Sequence, residues 1–117
     1  MLAQETFLER RRGANVIAVV KTYDQKYARE AFQDLNEAAL GTLAHSLKLE
    51  DLYEREDIPS TDNENYRDFL WDTLLEESRE DGSVLSFFVV YREVDSTREN
   101  LLVTSDWPTA EAFASRL

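Results

Sequence analysis

Residues 15–22 read Asn15-Val16-Ile17-Ala18-Val19-Val20-Lys21-Thr22, and whether they form a strand or a helix decides the fold. Val16, Ile17, Val19 and Val20 are β-branched, and such stiff side chains favour a buried strand. The same run places Val16, Val20, Tyr23 and Tyr27 at helical spacing on one face. Gly13, just upstream, favours the strand. The chain then reads as α+β: a three-stranded sheet from 15–22, 84–94 and 101–104, packed by helices over 25–48 and 62–80, with short terminal helices. If 15–22 instead joins the helix after it, the fold becomes mainly helical with one β-hairpin.

The segments on either side support the sheet. Residues 84–94 are apolar at both parities, with Leu85, Phe87, Val89 and Tyr91 on one side and Val84, Phe88, Val90 and Val94 on the other. A strand buried on both faces belongs in the middle of a sheet covered by helices. Residues 95–100 contain no glycine, so a loop is expected there and not a two-residue turn. Over 25–48, Ala28, Phe32, Leu35, Ala39, Leu43 and Leu47 keep a spacing of three or four, with Asp24 as N-cap. Gly41 falls inside that helix, where a close helix crossing would give it a use. Trp107-Pro108 opens a terminal helix striped by Ala110, Phe113 and Ala114.

Residues 3–12 read as a short helix, with Glu5 and Glu9 early, Arg10, Arg11 and Arg12 in the last turn and Gly13 after it. That order suits the helix dipole. A phosphate-binding or address role for the arginines is the weaker reading, because three bases beside two glutamates make a thin patch.

The composition is that of one ordinary globular domain, spanning 1–117. Its 117 residues are 43% hydrophobic and 11% aromatic, too apolar for an acidic tail. The formal charge of −11 is uneven: residues 50–81 hold 13 acids and 3 bases, whereas 1–48 hold 6 acids and 7 bases. Such asymmetry suggests an interaction surface or a solvated segment. Like-charge repulsion makes bare nucleic acid and anionic membranes poor partners and a basic protein a better one. No apolar run reaches membrane-spanning length, and the N-terminal order is the reverse of a secretory signal. A cytoplasmic domain is expected.

Several chemistries are excluded or disfavoured. With no cysteine there is no disulfide, thiolate metal site or Cys nucleophile. The single histidine, His45, excludes a multi-His metal site within the chain and reads as a boundary residue of its helix. Nucleophile-elbow, Walker, zincin and calcium-loop patterns are absent. No cofactor, metal or catalytic residue is expected, and a carboxylate-pair enzyme is the least favoured reading.

Residues 62–80 carry the constellation that remains. Thr61 and Glu64 form a capping-box pattern, and Gly82 stands beyond the end. Tyr66, Phe69, Leu70, Thr73 and Leu74 make a core-facing stripe, and Glu64, Asp68, Asp72, Glu76 and Glu80 recur every four residues as an acidic ridge. Each like-charge pair at that spacing costs roughly 0.2–0.5 kcal/mol, which a functional surface would justify. Trp71 and Leu75 widen the apolar arc beyond an ordinary stripe, so either this chain or another covers them. The expectation is a non-catalytic interaction or regulatory domain. It would engage a basic protein through Glu64, Asp68, Trp71, Asp72, Leu75 and Glu76, or form a homodimer through the apolar arc. The alternative is an acidic decoy of a nucleic-acid-binding protein.

Overall fold

The computed structural model describes residues 4–47, 64–78 and 85–117. They form, in order, β1 (Gln4–Arg12), β2 (Asn15–Thr22), α1 (Gln25–Gln33), α2 (Glu37–Ser46), α3 (Glu64–Ser78), β3 (Phe87–Val94), β4 (Thr97–Thr104) and α4 (Trp107–Ser115). The acidic connection over 50–59, the Thr61 cap, Arg79, Glu80, Gly82 and Val84 lie outside the described residues. Residues 15–22 are a strand and the fold is α+β. The sheet is antiparallel, in the order β1-β2-β3-β4.

β3 lies between β2 and β4, and its residues Phe87, Phe88, Val89, Val90 and Tyr91 are all buried. One parity meets α1 and α3: Phe87 stacks on Trp71, which also touches Phe32. The other parity meets α4, where Trp107 lies 5.4 Å from Phe88 between ring centroids. Helices on both faces are what a doubly apolar strand requires. α2 packs against β4 and α3.

The fourth strand is β1, which overturns the helix expected over residues 3–12. All its residues are exposed except half-buried Leu8, so it carries none of the alternation by which a strand is recognised. Gly13 is not a helix cap. Arg12 pairs with Asn15, leaving Gly13-Ala14 as a two-residue turn, and Gly13 supplies the positive φ of 58° at its first position. The register skips between Thr6 and Leu8, and Phe7, in that bulge, reaches Phe88 and Trp107 at 5.3 and 5.4 Å. Bulge and arginines together blunt a free sheet edge.

Two further expectations are corrected. The helix over 25–48 is two helices. Asp24 caps α1 as expected, but Asp34 ends it, and Asn36 starts α2 by accepting the Ala39 N–H at 2.9 Å. Apolar spacing runs on through the break because Phe32, Leu35, Ala39 and Leu43 enter the same core. Residues 95–100 are not a loop. Val94 pairs with Thr97 across the turn residues Asp95 and Ser96, whose φ values of 51° and 68° are those of a type I′ turn without glycine.

Gly41 marks no close crossing, since a Cβ built there meets nothing within 4 Å. Gly41→Ala is therefore expected to stabilise the protein by about 1 kcal/mol through helix propensity. Ser96→Gly should add about 1 kcal/mol by relieving a left-handed side chain. Urea unfolding checks both, and an unchanged or lowered midpoint contradicts the corresponding assignment.

Candidate functional site

α3 is rooted in the core by one arc and solvated on the other. Tyr66, Leu70, Trp71 and Leu74 are buried, and Phe69 and Leu75 are half-buried against the core. Three of the five expected stripe residues, Tyr66, Leu70 and Leu74, are buried; Phe69 and Thr73 are half-buried, and Thr73 turns its hydroxyl back to the Phe69 carbonyl at 2.8 Å. Asp68, Asp72, Glu76 and Glu77 are exposed. At 1.5 Å rise per residue, Asp68, Asp72 and Glu76 stand roughly 6 Å apart along the axis.

Trp71 is not a surface anchor. It is 6% exposed, stacked on Phe87 at 5.6 Å and tilted against Phe32 at 5.4 Å between centroids. The Arg29 guanidinium lies 5.3 Å from the Trp71 ring, where the electron-rich face attracts a cation. The wide apolar arc thus has an internal partner: Trp71 belongs to the core of this chain and leaves the expected six-residue epitope, while Leu75 packs against that core and stays partly exposed. Of the rest, Glu64 opens α3, while Asp68, Asp72 and Glu76 form an exposed acidic row.

Arg29 escapes a reading of α3 alone, because it sits 39 residues earlier in sequence on α1. Its Nη2 donates to Asp68 at 3.0 Å. Arg29, Phe32, Gln33, Arg67 and Asp68 line a cleft of about 230 Å³ between the two helices. The Nη1 atoms of Arg29 and Arg67 are buried there without an acceptor, so the cleft offers N–H donors at the foot of an acidic ridge. Among the described residues, no group of three histidine or carboxylate side chains is placed to hold a metal ion. His45 is exposed in the last turn of α2 and borders a cavity of about 280 Å³ shared with Pro108 and Phe113 of α4.

A second polar cluster closes the β3–β4 hairpin. Arg98 lies 3.8 Å over the Tyr91 ring, donates to Glu93 at 3.1 and 3.2 Å and to the Tyr27 hydroxyl at 3.2 Å. Burial pushes the Tyr91 phenol above its ordinary 10.0, and the Arg98 charge pulls it back. Arg98 is itself raised: burial, the largest single influence, works against its charge, but the hydrogen bond to Glu93 and the charges of Tyr27, Tyr91 and Glu93 together outweigh it. Sequence spacing cannot assemble this group, since Tyr27 and Arg98 meet across 71 positions.

No protein-family model matches the chain, and no curated protein or solved structure is similar to it. No helix among the described residues is long and apolar enough to cross a membrane.

Trp71→Ala should cost about 3–5 kcal/mol, the range for emptying a buried aromatic site. Urea denaturation checks this, and a loss under 1 kcal/mol, the scale of a surface change, would place Trp71 outside the core. For Tyr91, a folded pKa above 10.0 means the native state holds its proton longer than the unfolded chain. Its contribution is complete below the unfolded value and is lost as pH rises from there through the folded value. Stability should therefore decline in that alkaline window, and Tyr91→Phe should flatten the decline. Identical slopes for the two proteins would refute the assignment.

Proposed function

We propose that this chain is a non-catalytic interaction domain that engages a basic partner protein through the solvated face of α3. One observation supports it most directly. α3 buries Trp71, Leu70 and Leu74 in the core while holding Asp68, Asp72 and Glu76 exposed in one row. A helix anchored so firmly presents its carboxylates on a rigid support, which limits the ordering cost of association. With Trp71 internal, recognition is electrostatic and lacks an aromatic plug. Such complexes form fast, depend steeply on salt and draw modest energy from each exposed pair, roughly 0.2–1 kcal/mol. Arg29 neutralises part of Asp68, so Asp72 and Glu76 carry the fuller charge.

The test is capture from a lysate at low and high salt, with wild type beside Asp68→Asn/Asp72→Asn/Glu76→Gln. Wild type should retain a basic protein at low salt and release it at high salt. The triple variant should bind it on the order of tenfold more weakly. Equal retention by both proteins would remove α3 from the interaction. Displacement of the partner by duplex DNA would identify a nucleic-acid decoy; persistence in DNA favours a dedicated partner.

A further inference from the structure

The strand that replaces the expected N-terminal helix changes what its arginines can do. On β1 alternate residues share a face, so Arg10 and Arg12 stand together on the α4 side of the sheet. Strand register extends the group: Arg10 lies opposite Ile17, and Ile17 opposite Arg92. The next row pairs Arg12 with Asn15. With strands about 4.8 Å apart, Arg10 and Arg92 flank Ile17 across three strands. These side chains and Arg11 line an open cavity of about 540 Å³, to which Ile17 and Leu117 contribute apolar surface.

The arginines are engaged to different degrees. Arg92 Nη2 donates to Glu99 at 2.7 Å, Arg11 lies 3.6 Å from Glu9, and Arg10 donates to the Ala114 carbonyl at the end of α4. Arg12 has no ion pair among the described residues. Arg92 Nε is buried without an acceptor. Four guanidiniums against the side-chain carboxylates of Glu9 and Glu99 and the α-carboxylate of Leu117 leave the pocket cationic in a chain whose net charge is −11.

We propose that this pocket binds a phosphate monoester carried on a small apolar body. Its volume falls within the span of small-ligand sites, roughly 300–1,000 Å³. Guanidinium groups are donors only, in a planar fork that matches phosphoryl oxygens. A carboxylate saturates one fork, whereas a phosphoryl group has three terminal oxygens for donors arriving from Arg10, Arg12 and Arg92. Ile17 and Leu117 meet the apolar body. A polynucleotide fits less well. It would run past a Debye length of roughly 8 Å along a molecule 47 Å in its longest extent and acidic elsewhere.

The full chain, labelled with nitrogen-15, is titrated with phenyl phosphate while arginine Nε–H and Asn15 amide signals are followed. Inorganic phosphate, benzoate and a short DNA duplex are compared. Phenyl phosphate should saturate with a millimolar or tighter Kd, and inorganic phosphate should compete more weakly. Arg12→Gln should weaken binding about tenfold. Because Arg12 makes no ion pair within the described structure, its thermal midpoint should not move, which separates lost binding from lost fold. No saturable shift, undiminished binding by Arg12→Gln, or equal affinity for benzoate overturns the proposal. Preferential binding of the duplex overturns it too and assigns the pocket to nucleic acid. The pocket is on the sheet face opposite α3, so neither result bears on the acidic helix.

Discussion

β3 sets the constraint that the rest of the molecule meets. Phe87, Val89 and Tyr91 project from one side of it and Phe88 and Val90 from the other, and all five are buried. A single strand cannot hide two apolar faces. It needs a strand on each edge to satisfy its backbone and a helical layer on each side to exclude water. β2 and β4 supply the edges. α1 and α3 cover the Phe87 side, and α4 covers the Phe88 side. Trp71 then follows as a consequence: the largest apolar side chain on α3 is the one that reaches β3.

This arrangement separates charge by function within the same helix. The arc of α3 that meets β3 is committed to packing, and its opposite arc carries Asp68, Asp72, Glu76 and Glu77 in solvent. Arg29 joins the two arcs, resting over Trp71 and reaching Asp68. Positive charge gathers elsewhere, on the α4 side of the sheet, where strand register aligns Arg10 and Arg92 across Ile17. The molecule thus has an acidic helix and a basic sheet surface on opposite sides.

Elements that bury a regular face were legible in the sequence. β2 was recognised from its run of β-branched residues, β3 from being apolar at both parities, and α1, α3 and α4 from their stripes. β1 was not, because an edge strand exposed on both faces buries nothing regular, and Glu, Leu and Arg in 4–12 are good helix formers. The break between α1 and α2 was hidden because both helices feed one core, so Leu35 continues the spacing although the backbone does not. The tight turn at Asp95 and Ser96 was missed because two non-glycine residues take left-handed φ values there, which strand pairing on both sides enforces. Three of the five ridge residues, Asp68, Asp72 and Glu76, stand exposed as spacing alone indicated. The role of Trp71 was not, since a helical wheel shows that an arc is apolar but not what lies against it.

By itself the sequence determined the α+β class, the central strand and the acidic row, because each depends on local period and charge, which lie along one segment. Only the tertiary structure decided that Trp71 faces inward, that Arg29 meets Asp68 and that Arg10, Arg12 and Arg92 share one pocket. Those are meetings between segments far apart in the chain. They depend on strand register and on which helix lies over which face, and packing settles both only when the whole core closes.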